Sequence, residues 1–259
     1  MQRTSLKDLS RALQALNLPR GRMVMVHSGL LKFGILEGGV AGVLEVLLDH
    51  LGQDGTLVMP AFSLEYGATR VWNYHETPSD AGALTEYFRK QTGTIRTLHP
   101  FHSVSVFGKE QDAFRQCKNL SSFGPGSPFD VLIQGDAVNL SLGTEFEGGA
   151  SYLHHAEEEA QVPYRFEKKF PGQVYDSHGE LVEQTFRMYV RIIRPEYQYL
   201  NNWDGVWKEL QHLFRLEMVG HAKLYLSNIN EVHRRFKKLL LADPFFSVDL
   251  QPITASNTE

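Results

Sequence analysis

The first sixty residues alternate between two kinds of hydrophobic spacing. Apolar positions in residues 4–17 recur at helical intervals and predict an amphipathic helix. Residues 23–28 and 55–62 are short, continuous apolar runs of the kind that forms buried strands. Residues 38–52 lie between these runs and predict a second helix. This strand–helix–strand order predicts a βαβ unit with two parallel strands.

The rest of the chain continues the mixed pattern. In order, it predicts a helix over 77–93, strands over 102–108 and 136–143, a helix beginning within 151–160, strands within 172–194 and a helical tail over 203–242. No repeat or low-complexity linker interrupts the pattern. We therefore predict an α/β protein: a single domain over residues 1–259, with a mixed sheet flanked by helices and a helical C-terminal segment from about residue 203.

Composition excludes several classes of protein. The formal net charge of −4 lacks the basic excess of a nucleic-acid binder. There is no run of 18 apolar residues, so no transmembrane helix is expected, and the N-terminal stretch lacks the apolar block of a signal peptide. The only cysteine, Cys117, cannot form an internal disulfide. We expect a cytoplasmic protein with neither a nucleic-acid nor a membrane partner.

The stretch SYLHHAEEEA, residues 151–160, offers the clearest candidate chemistry. A helix beginning here would place Glu157 one turn after His154, on the same face. A histidine held by a carboxylate near a strand end can act as a general base. The alternative is a solvated helix surface with no chemical role.

A metal site is the second interpretation of the histidines. His99 and His102 in HPFH, with His154 and His155 in HHAE, supply enough imidazoles to surround a zinc ion. Their spacing matches no closed zinc motif, because H-E-x-x-H and paired cysteines are both absent. A metal-dependent hydrolase stays an alternative, but we expect the protein to bind no metal ion.

Two segments are suited to an anionic ligand. One is VHSGLLKFGILEGGV, in which Ser28 and Lys32 precede glycines that open a helix. The other is TPSDAG, a helix start, and Arg96 lies further along in IRTLHP. Together they predict a phosphate-containing ligand. Nucleotide hydrolysis and dinucleotide binding lack support, because neither a Walker A sequence nor G-x-G-x-x-G is present.

Six stretches in order resemble the aminoglycoside 3-N-acetyltransferase family. They are MVHSGLLKFG, GTLVMPAF, TPSDAGALTEYFRK, IRTLHPFHSVSVFG, GPGSPFDVL and LHHAE, and they span roughly residues 5–195. The resemblance implies the antibiotic N-acetyltransferase fold, which is distinct from the GNAT fold. It also implies an acyl-CoA-dependent N-acyltransferase that uses acetyl-CoA or another short acyl-CoA as co-substrate, needs no metal and acts on an amino-sugar small molecule.

The resemblance also implies roles for individual residues. LHHAE makes His154 the base and Glu157 its partner. The candidates for contact with CoA, from HSGLLKFG, TPS and RTLHPFHS, are Ser28, Lys32, Phe33, Gly34, Ser79, Arg96 and Ser103. Gly29 stands where the family usually has a second serine, so one hydroxyl contact is missing.

Charge patterns leave the acceptor open. An aminoglycoside is a polycation and would suit the carboxylates at Glu145, Glu147, Glu157, Glu158 and Glu159. A nucleotide-linked sugar carries a pyrophosphate and would suit Arg165, Lys168, Lys169, Arg187, Arg191 and Arg194. The segment VPYRFEKKFPG resembles relatives in sugar biosynthesis, which favours a biosynthetic amino-sugar N-acyltransferase. The alternatives are an aminoglycoside acetyltransferase of antibiotic resistance and a non-catalytic CoA-binding protein; a homo-oligomer also stays open.

Overall fold

A computed structural model describes residues 3–253 of the chain, and a seven-stranded mixed sheet lies at their centre. The helices are α1 (Leu6–Ala15), α2 (Gly39–Leu51), α3 (Tyr66–Thr69), α4 (Ala83–Arg89), α5 (Gln111–Arg115), α6 (Pro128–Gln134), α7 (Leu153–Glu159), α8 (Trp203–Leu210) and α9 (Ile229–Ala242). The strands are β1 (Arg3–Thr4), β2 (Met23–Ser28), β3 (Ile35–Leu36), β4 (Thr56–Pro60), β5 (Val71–Asn73), β6 (Ile95–Arg96), β7 (Val104–Gly108), β8 (Val138–Leu142), β9 (Arg165–Phe170), β10 (Gln173–Tyr175), β11 (Phe186–Arg191), β12 (Tyr197–Asn201), β13 (Phe214–Val219), β14 (Ala222–Asn228) and β15 (Val248–Pro252).

The central sheet has the order β13-β14-β8-β2-β4-β7-β6. Strands β8, β2 and β4 run parallel, and the strands outside them are antiparallel to their neighbours. The βαβ unit predicted from the first sixty residues is therefore confirmed. Helix α1, which precedes this unit, begins at Ser5, whose side chain caps the helix by accepting a hydrogen bond from the Asp8 amide.

Both faces of the sheet are buried. Along β2, Val24 and Val26 join one hydrophobic cluster with α1, α2 and α4, while Met23 and Met25 join another with α6, α7, α8 and α9. Successive side chains of a strand point to opposite faces of the sheet. Because both faces are buried here, the run is continuously apolar. The predicted sheet flanked by helices is confirmed.

Two predicted helical segments differ from the structure. Within 77–93 only α4 is helical, because the Thr77 carbonyl accepts from Arg96 and the Asp80 amide donates to Phe62. Those tertiary bonds hold the preceding residues as a loop.

The C-terminal segment from residue 203 is helical only in α8 and α9; between them β13 and β14 form a hairpin that extends the sheet. The turn glycine, Gly220, has φ +61°, a conformation that suits the residue joining two antiparallel strands.

A further strand was missed outside the predicted ranges. Strand β9 covers Arg165–Phe170 and pairs antiparallel with β11, which lies within the predicted 172–194 region. Across residues 3–253, every helix is too short or too polar to cross a membrane.

The carboxyl ends of β2, β4 and β8 meet at one edge of the sheet, where the connecting loops pack very closely. The Gly29 amide donates to the Leu142 carbonyl at 2.8 Å, which joins the loop after β2 to the end of β8. A Cβ placed on Gly29 would lie 2.8 Å from the Gly143 carbonyl oxygen. Glycine at 29 is therefore required by the approach of two backbones.

We expect Gly29→Ala to destabilise the protein by ~1–3 kcal/mol, because the added methyl group forces these loops apart. Urea unfolding would measure the loss. Gly67→Ala is the matched control, since its Cβ would meet nothing closer than the Phe101 ring at 3.6 Å. Equal unfolding midpoints for the two variants would contradict this account of the loop contact.

Candidate active site

The predicted histidine–glutamate pair is present on α7. His154 Nδ1 lies 2.5 Å from Glu157 Oε2, and the two residues share a face of the helix as their i, i+3 spacing requires. The His154 side chain is 29% exposed whereas that of Glu157 is 5% exposed. The carboxylate therefore supports, from the interior, an imidazole that solvent and small molecules can reach.

Two residues that follow α7 in the sequence, Tyr164 and Arg165, hold the Glu157 carboxylate in place. The Tyr164 hydroxyl donates to Glu157 Oε1 at 2.6 Å and lies 2.8 Å from the Ser247 hydroxyl. Arg165 Nε lies 3.1 Å from Glu157 Oε2. Burial by itself would raise the pKa of Glu157, but His154, Arg165 and Tyr164 outweigh it and lower that pKa to about 2.

An ionised Glu157 determines the tautomer of His154. Because the carboxylate only accepts hydrogen bonds, Nδ1 of the imidazole must carry the proton between them. This leaves Nε2 as the nitrogen with an available lone pair in the neutral ring. Arg165 Nη2 is also 3.4 Å from Nδ1, but a protonated Nδ1 cannot accept a bond from it. The arrangement suits a general base.

Three of the four arginines expected to bind a pyrophosphate have partners within the protein, whereas Arg194, Lys168 and Lys169 are exposed. Arg165 pairs with Glu157 and donates to the Tyr189 carbonyl, and its side chain is only 12% exposed. Arg187 pairs with Glu167. Arg191 donates to the Tyr199 carbonyl and to Asn201. These contacts reduce the positive charge available to a nucleotide-linked sugar.

A second histidine network, absent from the sequence prediction, lies beside the pair. His27 Nε2 is 2.8 Å from the Ser151 hydroxyl, and its Nδ1 is 3.1 Å from Asn139 Oδ1. The Asn139 amide nitrogen faces Ser141, so Oδ1 accepts from Nδ1–H and Nε2 accepts from Ser151. Burial lowers the pKa of His27 to about 4, despite the bond to Asn139. The sequence signal for this network is a histidine, His27, near the end of a predicted buried strand.

Arg96 has a structural position that conflicts with its predicted contact to CoA. Its Nε donates to Ser103, Nη1 donates to the carbonyls of Tyr74 and Thr77, and Nη2 donates to Ala61 and Ser63. These bonds use all the N–H groups of a guanidinium, and the residue is 4% exposed. Arg96 therefore braces the loop between β4 and α4.

The other cofactor candidates divide between interior and surface. Ser103 is fully buried and donates to the Ala61 carbonyl, and Phe33 is packed in the core beside Gly143. Gly34, with φ +70°, ends the turn that carries Lys32. The partly exposed or exposed candidates are Ser28, Lys32, Gly34 and Ser79. A Cβ on Gly82 would lie 3.7 Å from the Ser28 carbonyl, so the loops bearing Ser28 and Ser79 are adjacent.

The metal cluster proposed from His99, His102, His154 and His155 does not assemble. His99 Nδ1 accepts from the amides of Phe101 and His102, and His102 Nδ1 pairs with Ser122. His155 is buried and contacts His233 on α9. In residues 3–253, the one group of three potential metal-ligand side chains is instead His155, Glu159 and His233.

Comparisons with known proteins agree with this architecture. The model of a family described as aminoglycoside 3-N-acetyltransferase matches residues 25–240. The SPbeta prophage-derived aminoglycoside N(3')-acetyltransferase-like protein YokD of Bacillus subtilis (strain 168) is 24% identical over 254 residues, covering 87% of this chain and 88% of the relative. Aminoglycoside N(3)-acetyltransferase III of Salmonella sp is 26% identical over 209 residues, covering 68% of this chain and 72% of the relative.

Solved structures share the fold. Aminoglycoside acetyltransferase AAC(3)-Xa superposes with a TM-score of 0.79 at 22% identity, covering 92% of this chain and 93% of the other. The AAC-IIIb binary complex with CoASH gives 0.79 at 21% identity, covering 92% and 97%. The predicted antibiotic N-acetyltransferase fold is confirmed.

If Arg96 braces the loop, Arg96→Gln should lower the free energy of unfolding by about 3 kcal/mol, because several buried carbonyls lose their donor. Lys32→Gln, at an exposed turn position, should leave stability within about 0.5 kcal/mol. Urea unfolding of both variants would compare them. A stable Arg96→Gln protein with weakened CoA binding would favour the cofactor role instead.

The depressed pKa of Glu157 links stability to pH. The carboxyl has an ordinary pKa of 4.5 and a folded-state pKa of about 2, so its ionisation stabilises the fold fully above 4.5 and this contribution is lost as the pH falls towards 2. The contribution corresponds to ~3 kcal/mol. Urea unfolding at several pH values should therefore show the gap between wild type and Glu157→Gln narrowing in that interval. A pH-independent gap would contradict the assignment.

Proposed function

Because the chain belongs to the aminoglycoside 3-N-acetyltransferase family, we propose that it transfers the acetyl group of acetyl-CoA to an amino group of an aminoglycoside. The enzyme class predicted from the sequence, an acyl-CoA-to-amine N-acyltransferase, is the class of this family. The observation that carries the proposal is the His154–Glu157 pair, whose geometry suits deprotonation of an amine at the edge of the sheet.

The reaction needs one base and no covalent enzyme intermediate. The acceptor amine attacks the thioester carbonyl while His154 Nε2 removes its proton, and Glu157 favours the imidazolium that forms. Collapse of the tetrahedral intermediate breaks the carbon–sulfur bond. The CoA thiolate then takes the proton from His154, which returns the imidazole to its neutral form.

The oxyanion of that intermediate requires a hydrogen-bond donor. Ser151 precedes His154 by one turn, but its hydroxyl proton is directed to His27. Ser151 therefore presents oxygen lone pairs to the site and is suited to accept a bond from the acceptor's ammonium or amine. We assign stabilisation of the oxyanion to backbone N–H groups of the loop that precedes α7.

Acetyl-CoA as co-substrate is supported by the solved relative AAC-IIIb, which holds CoASH. On this chain, Ser28, Lys32 and Ser79 lie on adjacent loops at the carboxyl edge of the sheet and are the candidates for contact with the cofactor. The buried side chains of Phe33, Arg96 and Ser103 contribute to cofactor binding indirectly, because they hold those loops in place.

The preference for a nucleotide-linked sugar is not supported by the comparisons, and an aminoglycoside fits better. The relatives carry aminoglycoside names, and AAC-VIa has been solved with sisomicin bound. The physical reason lies in the arginines described above: Arg165 neutralises the catalytic carboxylate, and Arg187 and Arg191 have internal partners. A polycationic acceptor needs no such basic surface.

Replacing the base tests the mechanism directly. His154→Ala should lower kcat by about 10²–10⁴-fold while retaining CoA binding, because general-base catalysis contributes about that much. Release of the CoA thiol measures turnover, and calorimetric titration measures binding. His212→Ala, at an exposed turn, is the matched control and should keep wild-type turnover. Undiminished turnover in His154→Ala would remove this residue from the role of base.

An acceptor screen tests the substrate class. With acetyl-CoA fixed, aminoglycosides such as sisomicin should release thiol above background, whereas nucleotide-linked amino sugars should not. Product mass should rise by one acetyl group per turnover. Release with nucleotide-linked sugars alone would restore the biosynthetic alternative, and release with neither class would leave a CoA-binding protein.

A further inference from the structure

We propose that His155, Glu159 and His233 form a binding site for a zinc-class divalent cation that joins α7 to α9. This site is separate from the catalytic pair and plays no part in the proton transfer. His155 and Glu159 are spaced i, i+4 on α7, and His233 approaches them from α9. The donor set of two imidazoles and one carboxylate is typical of zinc.

The distances among the ligand atoms fit one ion. His155 Nδ1 lies 3.2 Å from His233 Nε2 and 3.4 Å from Glu159 Oε2, and His233 Nε2 lies 2.9 Å from the same oxygen. Ligands about 2.0–2.1 Å from a tetrahedral zinc ion are separated from one another by about 3.3 Å. The three atoms therefore already form one face of such a tetrahedron.

The surroundings of His155 supply the second observation. Its Nε2 is buried without a hydrogen-bond partner, and the nearest carboxylate oxygen, Asp130 Oδ1, is 3.8 Å away. A proton on Nε2 directed at Asp130 leaves the Nδ1 lone pair for the cation. A carboxylate behind a histidine ligand is the usual outer-shell arrangement in metal sites.

The remaining groups around the site are compatible with a cation. Lys237 Nζ lies 3.2 Å from Glu159 Oε1, so it occupies the carboxylate oxygen that faces away from the histidines. Asp130 offsets that positive charge on the opposite side. His155 and His233 are almost fully buried, but the Glu159 side chain is 27% exposed, so water can supply the fourth ligand.

The proposed ion would link two helices and so stabilise the folded protein. Helix α7 carries His154 and Glu157, and its other side carries the proposed ligands. An ion shared with α9 would fasten the catalytic helix to the longest helix of the C-terminal region. Catalysis would persist without the ion, while resistance of the folded state to heat would increase with it.

Zinc binding to the untagged full-length protein, after treatment with a chelator, tests the site. We expect one equivalent to bind with a rise in Tm, and Co²⁺ to give the visible absorption of a tetrahedral complex. Glu159→Gln and His233→Asn should weaken binding by at least ~100-fold, and Asp130→Asn by ~10-fold. These readouts do not depend on acyl transfer, so they stand or fall separately from the proposed function.

Lys237→Ala is the variant that separates a metal site from an ion-pair network. Removing the ammonium group should tighten zinc binding, because the nearby positive charge opposes the cation. The His212→Ala protein should bind as wild type does. Failure of wild type to bind zinc saturably, or unchanged binding in Glu159→Gln and His233→Asn, would overturn the proposal.

Discussion

Glu157 is a carboxylate ion held almost entirely out of water, and the arrangement of the candidate active site follows from the need to stabilise it. An ion in that position must be paired or lose its charge. His154, Tyr164 and Arg165 together meet this requirement from a helix, a loop and a strand. The same contacts that keep Glu157 ionised fix the tautomer of His154, so the stability of the core and the orientation of the proposed base have one cause.

Arg96 shows the same principle with the opposite charge. Its guanidinium is buried and saturated by carbonyl and hydroxyl oxygens from the loop after β4. That loop lies beside the loop after β2, where Gly29 allows the backbone at Gly143 to approach. Two buried ions, Glu157 and Arg96, thus hold segments outside the regular helices and strands.

Much of this could be predicted from the sequence where the signal was local. The buried strands β2 and β4 and the helix between them are contiguous, and His154 and Glu157 sit one turn apart on a single helix. Arg165 could not be assigned, because its partner depends on where β9 lies relative to α7. The internal contacts of Arg96 could not be predicted, because a basic residue near a glycine-containing helix start has the same sequence pattern whether it faces a phosphate or five internal oxygens. His27 needed Asn139 and Ser151, both more than a hundred residues away.

Ser247 makes the candidate active site depend on chain order. This residue hydrogen-bonds the Tyr164 hydroxyl, and Tyr164 in turn holds the Glu157 carboxylate. Every strand of the parallel core and both members of the His154–Glu157 pair precede it in sequence. During synthesis, the parallel strands β2, β4 and β8 are therefore all present before Ser247 is added. A fragment that ends between Arg165 and Ser247 would keep the histidine, the glutamate and both direct partners of the carboxylate, yet lack the hydroxyl that hydrogen-bonds Tyr164. The support of Glu157 is therefore completed only once Ser247 has been added to the chain.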